Sequence, residues 1–583
     1  MTRVTRIVGM AGSGKSTECN QRLLELLNDD EVEPSDILIT AFNRANIHDI
    51  IARWEDPDLV EAVHGLEWVV DKGQFDDEGI TVRTFNSICY NLVREDKEFH
   101  FDRLVVMDRE SDEEIFQQFF DECAPRFEYR YVPPSQADDA ADRGSLPVAN
   151  QILRAYNYLR ALGYGDTPEE YRVYSRMETQ VAAPESRVIE VMQQWDVWKE
   201  SNGIVQHDDC VRGAIELEKT PSGKVLVIDE FQDLSPLQYR LYKLWRDSQQ
   251  FDHIIIAGDE AQAIYGFRGT RGRYLRETYC DESIELTKSW RCAPKIVEKA
   301  QEVIAGYGYF DETLSSHGDD SDAIEEKVEV AGKTAEDLRP VVEEVLTDLG
   351  HDSSVMILGR TNLDVQRVAK ALNELGYPNQ PIVPADGERK RGLWYWEAPA
   401  PEVLHTLRRW REGEQLYPPY VEVLLSIADV DHAWVDHAVA GKLTKYSKAD
   451  EGYHDYPVLL DRIMYSPDVM DEVFDFPEST ESVLNCLRLD DARREVLRRA
   501  LDSEHDIRPD QIRVGTIHSA KGQESSRVLL LAGYAYRQAE RYRYEPGVEE
   551  EERRLYHVAV TRAADQLYIV TGWNGSEPCP IFL

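Results

Sequence analysis

The stretch Gly9-Met10-Ala11-Gly12-Ser13-Gly14-Lys15-Ser16-Thr17 has the residue types and the spacing needed to hold a polyphosphate. It fits the pattern G-x-x-x-x-G-K-[ST], in which glycines let backbone N–H groups wrap phosphate oxygens. Lys15 brings a point charge to the β and γ positions, and Ser16 offers a hydroxyl to Mg²⁺. Gly12, Ser13, Gly14, Lys15, Ser16 and Thr17 are therefore the candidate phosphate-binding residues. A second constellation, Asp229-Glu230-Phe231-Gln232-Asp233, follows four apolar residues. That placement puts Asp229 at a strand tip beside the Mg²⁺ shell, with Glu230 next to it to orient or deprotonate an attacking water. In the third, Gly258-Asp259 through Arg268-Gly269, Gln262 is a candidate sensor of the γ-phosphate, and Tyr265 and Phe267 are candidate platforms for stacking bases.

These residues need a scaffold, and the apolar runs supply one. Val4 to Val8 reads as a strand before the phosphate loop, and Leu23 to Leu27 as the helix after it. The runs Asp36 to Arg44 and Ile80 to Ser87 read as further strands whose ends carry Phe42, Thr84 and Phe85, where ligands of open α/β sheets bind. Lys224 to Ile228 and His253 to Ala257 lead into the second and third constellations. A second sheet domain is expected from Ser283-Ile284-Glu285-Leu286-Thr287-Lys288-Ser289-Trp290-Arg291 onward. It continues through Val355 to Leu358, Ile512 to Glu524, Val528 to Leu531, the helix Glu551 to Ala563 and the strand Gln566 to Val570. Helical periodicity dominates residues 96–203 and 385–506, which read as insertions, and the acidic stretches Pro133 to Gly144 and Ser315 to Glu326 as loops. The second insertion opens with the basic-aromatic run Arg389 to Trp396.

Bulk properties narrow the setting. A chain of 583 residues is too long for one core. A formal charge of -43, with arginine far ahead of lysine, suits a cytoplasm of very high salt, where self-repulsion is screened. The eight cysteines form no C-x-x-C pair and no zinc-spaced cluster, so they read as buried or free thiols. The sequence shows no signal pattern and no apolar run of ~18 residues, so the expectation is a cytoplasmic protein with no membrane role. A P-loop kinase or nucleotide switch would explain Gly9 to Ser16 but not the later motifs.

With these pieces in order, the chain resembles the UvrD/Rep-type superfamily 1 DNA helicases over nearly its whole length. The resemblance rests on the three constellations together with Thr516-Ile517-His518-Ser519-Ala520-Lys521-Gly522 and Glu552-Arg553-Arg554-Leu555-Tyr556-His557-Val558-Ala559-Val560-Thr561-Arg562-Ala563. Gln262 to Gly269 resembles the 3′→5′ branch. The resemblance implies an α/β fold of two RecA-like P-loop NTPase domains with parallel sheets, each carrying a mainly helical insertion. The expected boundaries are 1–95 and 204–282 for the first domain around insertion 96–203, and 283–384 and 507–583 for the second around insertion 385–506. It also implies ATP and Mg²⁺ as ligands, with Ser16 and Asp229 on the metal, Glu230 as general base and Gln262 on the γ-phosphate. Arg291 and Arg562, expected on the second domain, would be arginine fingers, with Trp290 stacked on adenine and Glu524 near the ribose. Phe42, Thr84, Phe85, Tyr265, Phe267 and His518 match DNA-facing positions.

The implied activity is ATP-dependent 3′→5′ movement along single-stranded DNA with unwinding of tailed duplexes, alongside replication or repair proteins. The alternative is a translocase that strips proteins without efficient unwinding. The charge adds an expected origin in a halophilic archaeon or its virus. Three departures stand out. Only eight residues precede Gly9, which leaves little room for the family's adenine-reading glutamine motif and predicts a weaker preference for ATP over GTP. Asn86 stands where histidine is common, and both insertions are short for the family.

Overall fold

The computed structural model describes residues 2–28, 32–41, 80–123, 129–133, 147–177, 181–310, 313–317, 324–382, 400–414, 479–503 and 507–582. Within these ranges it leaves out 98, 108, 267, 268, 271, 331, 333, 351, 535, 545, 546, 574 and 575, and it adds the single positions 47, 50, 396, 424 and 427. The chain forms two compact units, Met1–Ala323 with Glu545–Thr561, and Ile324–Tyr544 with Arg562–Leu583.

The first unit is built on six strands: β1 (Arg3–Gly9), β2 (Ile37–Ala41), β3 (Thr81–Thr84), β4 (Val225–Ile228), β5 (His253–Gly258) and β6 (Glu282–Leu286). They lie in the order β3-β2-β4-β5-β1-β6, and every pairing is parallel. Both faces of this sheet are covered, which is why its strands read as unbroken apolar runs instead of alternating ones. Val225 and Val227 face a core containing Ile7, Ile37, Ile39 and Ile255. Leu226 and Ile228 face the opposite core with Val4, Leu38, Ile254 and Ile256. Parallel strands bring all their C-terminal ends to one edge, so Gly9, Thr84, Ile228 and Gly258 end side by side.

Helix α1 (Lys15–Asn28) follows the glycine loop, and α2 (Phe85–Arg94) begins where β3 ends. Helix α3 (Pro236–Asp247) starts at a proline, with Ser235 and Gln238 capping each other's backbone N–H groups. Between α2 and β4 lie helices Glu113–Cys123, Val148–Ala161, Pro168–Met177 and Glu185–Ser201. They have their own core, built around Phe116, Phe119, Tyr156 and Trp195.

Two placements differ from the sequence reading. Residues 282–286, expected to open the second sheet, form β6 at the edge of the first, paired in register with β1 from Thr5↔Glu282 to Gly9↔Leu286. Alternation of apolar and polar residues marks a strand but not the sheet it joins. Helix α4 (Pro294–Val303) belongs to the same unit, and so does α5 (Val548–Val560), far along the sequence. His557 on α5 bonds the Ala300 carbonyl of α4 through Nδ1 at 3.0 Å.

The second unit carries β7 (Ile324–Glu329), β8 (Val355–Gly359), β9 (Gln380–Pro381), β10 (Ile512–Thr516), β11 (Ser525–Leu531) and β12 (Ala563–Thr571). Their order is β7-β12-β11-β8-β10-β9, again with every pairing parallel. The acidic stretch Ser315 to Glu326, expected as a loop, enters strands at both ends, since Ser315–Ser316 pairs with Lys288–Ser289 and β7 begins at Ile324. Among the described residues β7 is an edge strand paired with β12 alone, and edges tolerate the charges that made the segment look like a loop. Helices Ala335–Leu346 and Asn362–Leu375 each begin with a Thr–Asp capping box. Of the second insertion, helices Ala400–Arg411, Thr480–Asn485 and Asp491–Asp502 pack with Trp396 in a separate core. The rest of the basic-aromatic run, the stretch Pro133 to Gly144 beyond its first residue, Phe42 and Phe267 lie outside the described residues.

Candidate active site

The phosphate loop joins β1 to α1 through backbone that only glycine adopts freely, with φ +69° at Gly12 and +88° at Gly14. Space is equally restrictive. A Cβ on Gly12 would overlap the Arg291 Cβ, and one on Gly9 would overlap the Ser13 hydroxyl and come within 2.9 Å of Leu286 Cβ. The loop is held from the side by the segment after β6. The Trp290 backbone N–H donates to the Gly12 carbonyl at 2.8 Å, and the Ser289 hydroxyl donates to the Ala11 carbonyl at 3.2 Å. Lys15 folds its ammonium back onto the Gly9 and Met10 carbonyls at 2.8 and 3.0 Å. The Ser13 hydroxyl is buried and has no hydrogen-bond partner among the described residues. An orphaned hydroxyl, a lysine and two left-handed glycines at a helix N-terminus together make a cradle suited to phosphate oxygens.

Asp229 and Glu230 follow β4 directly. The Asp229 N–H donates to the Thr40 carbonyl at 2.8 Å, and its carboxylate accepts the Glu230 N–H at 2.9 Å. Glu230 takes the left-handed conformation, φ 55°, which costs a non-glycine residue energy and is typical of functional turns. Burial pushes the Cys19 thiol on α1 well up, and the Asp229 carboxylate adds to that shift. The Asp229 charge is thus felt one turn beyond Lys15 and Ser16. A hydroxyl plus one carboxylate is the sparse oxygen set that Mg²⁺ accepts when phosphates complete its shell. Among the described residues, no group of three or more His, Cys, Asp or Glu offers an all-protein metal cage.

Two further residues connect this pair to the γ-phosphate sensor. The fully buried Gln232 donates its side-chain amide to the Glu230 carboxylate. Its amide oxygen accepts the Asp259 N–H at 3.0 Å. The Asp259 carboxylate in turn accepts the Ala261 N–H at 3.0 Å and the Gln262 side-chain amide at 2.6 Å. A Cβ on Gly258 would overlap the Gln232 amide oxygen, so glycine is required where β5 ends. Gln232 and Asp259 stand inside sequence motifs that by themselves assign them no role. The available signal was their position, one beside each proposed catalytic group, at the ends of strands that turn out to be neighbours.

Trp290 is 62% exposed, with its ring 4.2 Å from the His317 ring and the Lys288 ammonium 4.8 Å from its centre. Arg291, half-buried beside Gly12, lies in the unit that holds the phosphate loop and not in the second unit, where the sequence reading placed it. The local cause is β6, which ties this segment to β1. Arg562 does belong to the second unit, where it is buried and donates to the Gln523 carbonyl at 3.0 Å. Glu524 there is exposed, and its backbone carbonyl accepts from Arg513 at 2.6 Å. His518 is half-buried in a turn capped by the Thr516 hydroxyl.

The DNA-facing expectations divide. Phe85 is 2% exposed and stacked on Trp245 at 4.9 Å, so it is a core residue with no face left for a base. It is the first residue of α2, and the apolar side of that helix closes the core over the sheet. The Thr84 hydroxyl is engaged as the α2 cap, accepting the Ser87 N–H at 3.3 Å. Asn86 accepts the Gln238 side-chain amide at 3.0 Å, which joins the start of α2 to that of α3. Tyr265 is half-buried just past the sensor turn.

Residues 1–281 match the family model of the UvrD/REP helicase N-terminal domain, and residues 460–572 match that of the UvrD-like helicase C-terminal domain. The chain is similar to ATP-dependent DNA helicase srs2 of Schizosaccharomyces pombe, 25% identical over 319 residues, covering 52% of this chain and 33% of that protein. It is 26% identical over 312 residues to ATP-dependent DNA helicase PcrA of Staphylococcus epidermidis, covering 51% of this chain and 37% of that protein. DNA helicase II of Haemophilus influenzae is 22% identical over 320 residues, with 51% of this chain and 38% of that protein covered. The matched stretch thus spans little more than a third of these relatives' own length.

Proposed function

We propose, from the premise that the chain belongs to the UvrD/REP helicase family, that it hydrolyses ATP to move 3′→5′ along single-stranded DNA and separate duplex strands. The observation that carries this reading is the hydrogen-bonded chain Glu230–Gln232–Asp259–Gln262. It links a candidate general base to a candidate γ-phosphate sensor within the unit that carries the phosphate loop. A nucleotide-binding protein needs the loop alone, whereas hydrolysis needs a base held in place relative to the reacting phosphate.

In this reading the loop N–H groups, Ser13 and Lys15 bind the phosphates, and Trp290 offers an exposed face to the base. Glu230 takes the proton of the attacking water while Gln232 fixes the carboxylate's orientation. Arg291 and Arg562 offset charge on the transferred group, and an arginine in that role is worth ~10³ to 10⁵ in rate. Ser16 and Asp229 would hold Mg²⁺, which would neutralise phosphate charge there. Among the described residues no helix is long and apolar enough to cross a membrane.

We further read the charge of -43 as adaptation to a halophilic cell's interior. At multimolar salt the Debye length is ~3 Å or less and counterion release is largely spent as a source of affinity. Aromatic stacking then carries more of the DNA affinity than lysine or arginine does, at ~1 to 3 kcal/mol per base. The test of function is unwinding of duplexes with a 3′ or a 5′ single-stranded tail in high-salt buffer. The reading expects ATP-dependent unwinding of the 3′-tailed substrate. Displacement of bound protein without strand separation would support the translocase alternative, and unwinding from the 5′ tail would reverse the assigned polarity.

A further inference from the structure

The turn that carries Gln262 is gripped from outside the strands that produce it. Arg554, on α5, donates through Nε to the carbonyl of Ala263, the residue after Gln262, at 2.9 Å. A second nitrogen of the guanidinium is held as well. Nη1 donates to the Glu550 carboxylate at 2.8 Å and to the Tyr309 hydroxyl at 3.1 Å, and that hydroxyl donates to the same Glu550 carboxylate at 2.6 Å. Burial pushes the Tyr309 hydroxyl up, so it stays protonated as the donor. Burial also raises the Glu260 carboxyl in the sensor turn, and Arg276 and Arg554 offset that shift. The fit is tight on the neighbouring turn of α5, where a Cβ on Gly266 would come within 2.8 Å of Glu551 Oε1.

Helix α5 then runs to Val560, and Thr561 closes it with its N–H and hydroxyl on the His557 carbonyl at 3.0 and 2.9 Å. We propose that Arg554 is a positioning residue that holds the Gln262 turn against helix α5, so that the sensor amide keeps one place relative to that helix. The proposal rests on the reading of Gln262 as a group that acts on ATP.

The experiment compares DNA-stimulated ATP hydrolysis by the unaltered chain, Arg554→Ala, Arg554→Lys, Gln262→Ala and the double variant Arg554→Ala/Gln262→Ala, with thermal unfolding of each. Arg554→Ala is expected to lower kcat about 10- to 100-fold while changing the KM for ATP less than about threefold. Lysine restores charge but not the fork, so Arg554→Lys should recover less than about a third of the loss. The double variant should be no slower than the slower single variant, because both break one coupled element. Losses that multiply in the double variant would overturn the proposal, as would full recovery with lysine or a rise in KM alone. If Arg554→Ala loses its unfolding transition, Tyr309→Phe replaces it, with an expected kcat loss of about three- to tenfold and the same criteria. Absence of hydrolysis by the unaltered chain would instead strike the proposed function itself.

Discussion

Gln232 gives its side-chain amide to the Glu230 carboxylate, and it has no exposed surface with which to do anything else. Its amide oxygen is committed to the Asp259 N–H. Gln232→Met keeps the volume and removes both bonds. Glu230 would then lose its orientation, and misplacing a catalytic group by about 1 Å can cost ~10² in rate. The expected result is a kcat lower by about 10- to 100-fold with the affinity for a non-hydrolysable ATP analogue unchanged. Equal loss of analogue binding would show that Gln232 supports the phosphate loop instead.

Gly12 combines a left-handed φ with a Cβ position already taken by Arg291. Gly12→Ala therefore stores strain of ~1 to 3 kcal/mol and pushes the loop away from the Ser289–Arg291 segment. ATP binding should weaken at least about tenfold by titration calorimetry, with a lower unfolding midpoint. An alanine variant that binds ATP normally would mean that this segment does not brace the loop.

Phe85 separates packing from DNA contact. Phe85→Ala should destabilise the first unit by ~3 to 5 kcal/mol, the usual cost of emptying an aromatic core site. Measured where the variant is still folded, its affinity for single-stranded DNA should stay within about twofold, since a lost stacking platform would cost ~1 to 3 kcal/mol per base. Weak binding with unchanged stability would return Phe85 to the DNA groove.

Much of this was legible in the sequence for a physical reason. Strands buried on both faces, such as Val225–Ile228, leave unbroken apolar runs, and the glycines of the phosphate loop are irreplaceable where φ is positive. The parallel sheets follow from those signals. What was not legible depends on register and distance. The Gln232–Asp259 bond exists because β4 and β5 are neighbours with their ends aligned, which no local pattern states. The strand Glu282–Leu286 looks the same whichever sheet takes it, and α5 joins a unit whose other described helices all lie before residue 304. An aromatic at a strand end carries the same signal whether it packs inward, as Phe85 does, or faces a ligand.

If the phosphate loop powers a DNA motor, hydrolysis depends on both DNA and Lys15. The most direct measurement is the ATPase rate in high-salt buffer with and without single-stranded DNA, for the unaltered chain and for Lys15→Ala. Strong stimulation by DNA that disappears in Lys15→Ala is the expected result. An ATPase rate that DNA leaves unchanged at every salt concentration, or stimulation that survives loss of Lys15, would contradict it.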